Sequence, residues 1–216
     1  MKAVYFNEKE TVNDKHINEV SKSIKEGKIA VFPTETVYGV GTNAYNEDSC
    51  KMIYKIKNRD EAKPLIVLIS NYEMLNDIVD EESEFEKKIM ENFWPGPLTM
   101  VLKKKKDSKI PNIITAGKEY VGIRMTSGKV ATELIEKSGV PIVAPSANLS
   151  GNPTGKKMKN IINELGDKVD YILDFGDIEE EGKESTVIKI ENNKIKVLRE
   201  GKILRKELEK IGEIIE

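Results

Sequence analysis

Cysteine and histidine are almost missing from this chain, which contains one of each, Cys50 and His16. A lone cysteine excludes an internal disulfide and a Cys-rich zinc site. One cysteine and one histidine also argue against a Cys–His pair or a histidine-based triad. We expect His16 itself to be a solvated helix residue. Any chemistry must therefore rely on lysine, arginine, serine, threonine, asparagine, carboxylates and backbone groups.

The chain also lacks a long apolar run, a signal-peptide pattern and an excess of charge. No stretch approaches membrane-spanning length, and the first residues, MKAVYFNEKE, contain no apolar core. We therefore expect a cytosolic protein that contacts no membrane. Lys and Arg total 35 against 37 Asp and Glu, for a net charge of -2. This balance argues against a protein held to nucleic acid mainly through phosphates.

The 216 residues fit one domain, 1–216, along which strand patterns alternate with helical patterns. Predicted strands cover 3–6, 29–32, 65–69, 98–102, 121–125, 142–144, 171–173, 186–190 and 195–198. Predicted helices cover 13–26, 48–57, 73–79, 83–92, 129–137, 157–165 and 204–214. Asp48 or Ser49 is the expected cap of the second helix. Because the last two strands flank the tight-turn pair Asn192-Asn193, they must be antiparallel. The pattern predicts an α/β fold with a mixed sheet.

Polar residues and glycines follow the buried strand 29–32 in the stretch VFPTETVYGVG. Ligands of α/β proteins bind beyond strand ends, and the hydroxyls of Thr34, Thr36 and Tyr38 are suited to hydrogen bonding there. Gly39 and Gly41 permit either a positive φ or a close backbone approach. A plain polar turn explains the composition equally well. The nucleotide loops GxxxxGK[ST] and GxGxxG occur nowhere in the chain.

Two further clusters lie beside buried strands. In KIKNRDEAKPL, the cations Lys57, Arg59 and Lys63 precede the strand 65–69, and Lys51 lies six residues before Lys57. Four cations there are able to neutralise a triphosphate, although a charged helix end is usually only solvated. In PIVAPSANLSGNPTG, the strand 142–144 ends before Ser146 and Asn148, which suit phosphate or ribose oxygens. The same composition is also typical of a loop that only connects two secondary-structure elements.

Arg124 is unusual because it lies inside the apolar strand VGIRMT. A buried arginine needs a partner, either an internal carboxylate or the carboxylate of a ligand, which its planar fork binds in two places. Arg199 in KVLREG and Ser185 in KESTVI are weaker candidates, since a solvated strand end and a turn cap explain them. The run KKKK at 103–106 is interpreted as a solvated loop.

Taken together, these segments closely resemble the YrdC-like threonylcarbamoyl-AMP synthase family. The matching segments appear in the family's order from about Ile29 to Ile203: FPTETVYGVG, KIKNRDEAKPLIVLIS, FWPGPLT, VGIRMT, VPIVAPSANLSG, ESTVI and VLREGKI. The resemblance implies an open, twisted mixed sheet curved around a large concave pocket. It also implies that L-threonine, bicarbonate and ATP give threonylcarbamoyl-AMP, pyrophosphate and water, for tRNA modification by a separate threonylcarbamoyl transferase. Some relatives carry an extra C-terminal domain, for which this chain is too short.

The resemblance also assigns roles to individual residues. Lys57 and Arg59 are the implied catalytic cations, holding the phosphates with Mg²⁺ beside Lys51 and Lys63. The nucleotide is further bound by Ser146, Asn148, Thr154 and Arg199, and L-threonine by Thr36, Arg124 and Ser185, with Arg124 on its carboxylate. Two departures stand out: Leu68 replaces a histidine common in relatives, and Glu200 replaces a proline after Arg199.

A different class of function stays open at this stage. A concave basic surface could bind RNA without catalysis, and a local basic lining would be compatible with a balanced total charge. A weak direct contact with RNA is also compatible with the synthase interpretation.

Overall fold

The structure is a computed structural model that describes residues 3–7, 14–178 and 183–216. Its strands are β1 (Val4–Asn7), β2 (Ala30–Pro33), β3 (Tyr38–Asn43), β4 (Ile66–Ile69), β5 (Leu98–Lys103), β6 (Tyr120–Met125), β7 (Ile142–Val143), β8 (Tyr171–Asp174), β9 (Thr186–Glu191), β10 (Lys194–Arg199) and β11 (Ile214–Ile215). Its helices are α1 (Asp14–Lys25), α2 (Glu47–Lys57), α3 (Tyr72–Asn76), α4 (Glu84–Phe93), α5 (Asn112–Thr115), α6 (Lys129–Ser138), α7 (Met158–Leu165) and α8 (Arg205–Leu208). Among these helices, none has the length and apolarity needed to cross a membrane.

The strands form one open, mixed, 11-stranded sheet in the order β1-β8-β2-β3-β7-β4-β6-β5-β9-β10-β11. Pairing is parallel at β1–β8, β8–β2, β4–β6, β5–β9 and β10–β11, and antiparallel at the other neighbours. The predicted mixed α/β fold is therefore confirmed. The final hairpin is confirmed as well, with Asn192 and Asn193 both at positive φ, 53° and 57°.

Hydrophobic residues fill both faces of the sheet. Along β4, Val67 and Ile69 point into a core that α2, α3, α4, α5 and α7 complete. Leu68 points the opposite way, into a second core closed by α1 and α6. Successive side chains of a strand alternate between the faces, and burial on both faces explains why LIVLI reads as a continuous apolar run.

The sequence predicts no strand between 33 and 43, but the structure places β3 there. β3 pairs with β2 as an antiparallel hairpin, and all of its residues are buried. Its glycines meet neighbouring strands closely: a Cβ on Gly41 would lie 2.8 Å from Ile142 Cγ2 and from the Val143 carbonyl oxygen. Close backbone approach, the second alternative weighed for these glycines, therefore explains Gly41.

The predicted helix 204–214 is wrong. Only Arg205–Leu208 is helical, and Ile214–Ile215 pairs with β10, with Ile195 N donating to the Glu213 carbonyl at 2.8 Å. The spacing of Leu204, Leu208 and Ile211 fits a helix, but the open edge of β10 offers backbone partners that the periodicity cannot reveal.

Smaller corrections concern caps, one short helix and one side chain. The side chain of Asn46, rather than of Asp48 or Ser49, caps α2 by accepting from Ser49 N at 3.0 Å. The short helix α5 was not predicted. The ring of His16 stacks on Phe6 with centroids 4.2 Å apart, so His16 is half-buried rather than solvated. Residue 13, where the first predicted helix starts, lies outside the described residues.

Gly41→Ala is expected to destabilise the fold by about 1–3 kcal/mol, since the added methyl overpacks the contact with β7. Gly122→Ala is the matched control. Its Cβ would lie 3.5 Å from Thr99 Cγ2 and 3.6 Å from Ile66 Cγ1, ordinary contact distances. Urea unfolding of both variants measures the difference. Equal free energies of unfolding would show that β3 and β7 can separate without cost.

Candidate functional site

One cleft brings together the three polar clusters that the sequence singles out. Its walls come from Thr34 and 36–39 after β2, Arg59 and 64–66 before β4, and 144–146 after β7. Arg124, 184–185 and Arg199 complete it from the other half of the sheet. Segments that are more than 100 residues apart in the sequence therefore share one concave surface.

Arg124 is the most buried charged residue of the cleft, with 5% of its surface exposed. It shares a face of the sheet with Leu68, its register partner on β4. Its Nη1 donates to Thr36 Oγ1 at 3.0 Å, while its Nε lies 3.6 Å from Glu35 Oε1. Among the described residues, neither Arg124 Nε nor Glu35 Oε1 has a hydrogen-bond partner.

Burial and the charge of Arg199 lower the pKa of Arg124, and Glu35 and Glu184 oppose this shift. Glu35 is itself shared, because its Oε2 accepts from the Thr126 hydroxyl at 2.5 Å. The internal carboxylate predicted as one alternative is thus present, but its bond with the guanidinium is long. A buried, incompletely paired arginine favours the binding of a further anion.

Arg199 and Ser185 form the opposite wall. Arg199 donates from Nη1 to Glu184 Oε2 at 2.7 Å and from Nε and Nη2 to the Ser185 carbonyl at 3.1 and 2.9 Å. Its Nη2 also lies 3.1 Å from Ser185 Oγ, which shares a 2.8 Å hydrogen bond with Thr99 Oγ1. Arg199 therefore fixes the start of β9, even though exposed Glu200 follows it.

Arg59 reaches the cleft because α2 ends just before it. Asn58 caps the helix in the left-handed conformation, with φ 49°, and the chain then turns toward β4. The guanidinium of Arg59 donates to the carbonyls of Lys63 and Pro64, at 3.3 and 2.9 Å. Burial lowers the pKa of Arg59, and the nearby charge of Arg199 adds to the shift.

Lys57 lies under the chain 146–148 rather than in the wall of the cleft. It is 2% exposed, and its Nζ donates to the carbonyl oxygens of Ser146 and Asn148. Burial, helped by the charge of Arg59, lowers the pKa of Lys57 to about 8. Any influence of Lys57 on a molecule in the cleft passes through this loop in the present structure.

Ser146 lines the cleft, and its hydroxyl donates to Asn148 Oδ1 at 2.6 Å. The Nδ2 of Asn148 is used inside the loop, bonding the carbonyls of Leu149 and Asn152 at 3.0 and 2.9 Å. Thr154 lies outside the cleft, in a neighbouring groove that also contains Glu184.

Two predicted phosphate ligands stand apart from the cleft walls. Lys51 is exposed and pairs with Glu47 at 2.8 Å on its own helix. Lys63 is exposed as well, and its carbonyl rather than its side chain contacts Arg59. The structure thus brings together Thr36, Arg59, Arg124, Ser146, Ser185 and Arg199, and leaves Lys51, Lys57, Lys63, Asn148 and Thr154 outside the lining.

Two acidic residues of the site, Glu35 and Glu184, were not predicted from the sequence. Glu35 lies within the PTET run, whose hydroxyls gave the predicted ligands, and Glu184 directly precedes Ser185. The need for a countercharge near Arg124 was the available signal for Glu35. Within the described ranges, no group of three or more His, Cys, Asp or Glu could hold a metal ion.

Comparison with known proteins gives one consistent match. The family model Sua5_yciO_yrdC, described as telomere recombination, matches residues 22–201. The chain is 40% identical over 201 residues to a threonylcarbamoyl-AMP synthase of Bacillus subtilis (strain 168), covering 93% of this chain and 58% of that protein. It is 39% identical over 212 residues to a threonylcarbamoyl-AMP synthase of Pyrococcus abyssi (strain GE5 / Orsay), covering 98% of this chain and 62% of that one.

Among solved structures, the fold is similar to a crystal structure of P. abyssi Sua5 complexed with L-threonine, with a TM-score of 0.90 and 36% identity. The match covers 100% of this chain and 63% of that one. The chain therefore spans 58–63% of the length of these three relatives. Proteins named as synthases favour a catalytic function over a purely RNA-binding one.

Proposed function

The chain belongs to the Sua5/YciO/YrdC family, and on that premise we propose that it is an L-threonylcarbamoyladenylate synthase. This nucleotidyltransferase converts L-threonine, bicarbonate and ATP into threonylcarbamoyl-AMP, pyrophosphate and water. The observation that carries the proposal is the cleft, where buried Arg124 lies on one wall and Arg59 and Arg199 lie nearby. Such a cleft suits two anionic substrates held side by side.

L-Threonine is assigned to the wall around Arg124. Its carboxylate completes the hydrogen bonding of the guanidinium, whose Nε has no hydrogen-bond partner within the described part of the chain. The hydroxyls of Thr36 and Ser185 lie on the same surface and hold the rest of the amino acid by neutral hydrogen bonds. The free amine, after losing a proton, captures bicarbonate as a carbamate and releases water.

ATP is assigned to the wall formed by Arg59, Ser146 and Arg199. Asn148 and Thr154 support the nucleotide from the adjoining loop, and Lys57 supports it through the carbonyls of Ser146 and Asn148. Lys51 and Lys63 are exposed, and they contribute long-range attraction for the triphosphate. Mg²⁺ usually binds through substrate phosphates and one or two carboxylates, so it would enter with ATP, and Glu184 is an acidic residue of the cleft lining that would be available to hold it.

The transfer itself needs positioning and charge neutralisation more than covalent help. The carbamate oxygen attacks the α-phosphorus in line, the bond to the bridging oxygen breaks, and pyrophosphate leaves with the electron pair. Arg59 stabilises the charge that develops on the leaving group, and Lys57 contributes through the loop carbonyls that its ammonium holds in place. The scarcity of histidine and cysteine fits this chemistry.

The product is a reactive mixed anhydride that requires an acceptor. We propose a separate tRNA threonylcarbamoyl transferase as the downstream partner, with at most weak direct contact between this chain and RNA. Since ATP and tRNA are both substrates of cytoplasmic chemistry, we place the reaction in the cytoplasm.

Pyrophosphate release tests the proposal. The purified chain is expected to release pyrophosphate from ATP only when L-threonine, bicarbonate and Mg²⁺ are all present, and each omission serves as a control. Equal release without threonine would replace the synthase by a nonspecific ATPase. Tight RNA binding without any turnover would instead favour the RNA-binding function.

A further inference from the structure

Glu164, the residue before the end of α7, binds the loop 146–152 with both carboxylate oxygens. Its Oε2 accepts from the backbone N–H of Leu149 at 2.6 Å, and its Oε1 accepts from Asn152 Nδ2 at 2.9 Å. A bond of 2.6 Å between an N–H and a carboxylate is charge-assisted and strong. Glu164 is half-buried and does not line the cleft.

The same loop is also bound by Lys57 of α2. The ammonium donates to the carbonyls of Ser146 and Asn148, and the Lys57 carbonyl accepts from Ser150 N at 2.8 Å. A cation and an anion from two different helices thus satisfy backbone groups along one short segment. Burial lowers the pKa of Lys57, and the negative charge of Glu164 partly opposes this shift.

We propose that Glu164 is a positioning residue, which anchors the loop 146–152 and so fixes Ser146 and Asn148 for the nucleotide. The role rests on the proposed function. Ser146 faces the cleft, and its hydroxyl is oriented by Asn148 Oδ1 at 2.6 Å. Movement of Leu149 is transmitted to Asn148 along the backbone, so a loosened loop misplaces both residues. Small misplacements of this kind are costly for binding and for catalysis.

The test compares Glu164→Ala and Glu164→Asp with wild type. Loss of hydrogen bonds to a charged group predicts an increase of about 10- to 100-fold in KM for ATP and in the dissociation constant of a non-hydrolysable ATP analogue. KM for threonine is expected to stay within about twofold, because Arg124 bonds Thr36 and pairs with Glu35, both outside the loop 146–152. Glu164→Asp retains the charge and is expected to recover part of the affinity.

Two controls separate this role from general loosening. Asn163→Ala changes an exposed neighbour on the same helix, and Glu133→Ala removes a half-buried acid on α6. Both are expected to leave KM for ATP unchanged. In the ligand-free protein, hydrogen exchange of the Leu149 amide is expected to be faster in Glu164→Ala than in either control.

The outcomes are distinguishable. Unchanged nucleotide affinity in a folded Glu164→Ala variant overturns the proposal, as does an equal rise in KM for ATP and threonine. Unchanged exchange at Leu149 also overturns it. A wild-type chain that binds ATP analogues but releases no pyrophosphate would sink the proposed synthase activity, while the analogue dissociation constant and the Leu149 exchange of Glu164→Ala would stay interpretable.

Discussion

Arg124→Ala is expected to weaken binding of L-threonine by about 30- to 4,000-fold and to leave ATP affinity close to that of wild type. The range corresponds to about 2–5 kcal/mol, the usual cost of removing one partner from a desolvated charge pair. Isothermal titration of each substrate on the folded variant measures both affinities.

The expected selectivity follows from where Arg124 lies. Its guanidinium is almost fully buried and bonded to Thr36, whereas Arg59 and Ser146 line the wall assigned to ATP. The carboxylate of Glu35 lies 3.6 Å from Arg124 Nε and also accepts a hydrogen bond from the Thr126 hydroxyl. A ligand carboxylate therefore binds a guanidinium that is already desolvated and whose positive charge is only partly neutralised by Glu35.

Two further variants sharpen the result. Arg124→Lys keeps the charge but loses the planar fork, and is expected to bind threonine with intermediate affinity. Arg205→Ala removes a half-exposed arginine that pairs only loosely with Glu209 at 4.0 Å, and should bind both substrates normally. Unchanged threonine affinity in a folded Arg124→Ala protein would mean that Arg124 is an internal structural partner of Thr36 and Glu35 rather than a ligand of threonine.

Most of the sheet could be predicted because its strands are short apolar runs bounded by turn residues. The interior position of Arg124 was also visible, since a charge inside VGIRMT must be explained by a partner. β3 was not visible, because Gly39 and Gly41 look like turn residues until their close packing against β7 is known. β11 was not predicted for a related reason. Its conformation is decided by pairing with the edge of β10, and the local sequence does not show that this edge is available.

The positions of Lys57 and Arg59 relative to the cleft could not be predicted from the sequence either. Sequence spacing placed Lys57 and Arg59 two residues apart but could not give their directions. Because α2 ends at Asn58, Arg59 turns into the cleft while Lys57 stays on the helix and points under the loop 146–148. Glu164 carries no sequence signal at all, since one acid in an amphipathic helix normally faces solvent.

Arg59→Ala is expected to lower the single-turnover rate at saturating ATP and threonine by about 10²-fold or more, beyond any loss of ATP binding. Negative charge shifts toward pyrophosphate as the bond to the α-phosphorus breaks, so a cation already in place stabilises the transition state more than bound ATP. Arg59 is held in place by the carbonyls of Lys63 and Pro64, and thus needs little reorganisation. Arg59→Lys should also be impaired, because a point charge does not replace a fork.

Lys57→Ala is expected to show a rate loss of similar size but with a different signature. It leaves the carbonyls of Ser146 and Asn148 without their cation, which costs about 1–3 kcal/mol of stability, whereas Arg59→Ala should unfold close to wild type. Lys55→Ala, an exposed lysine on the same helix, is the matched control and should change neither rate nor stability.

Wild-type single-turnover rates in both the Arg59 and Lys57 variants would remove this cluster from the active site. A loss confined to Lys57→Ala would assign the effect to the loop instead of to charge on the leaving group.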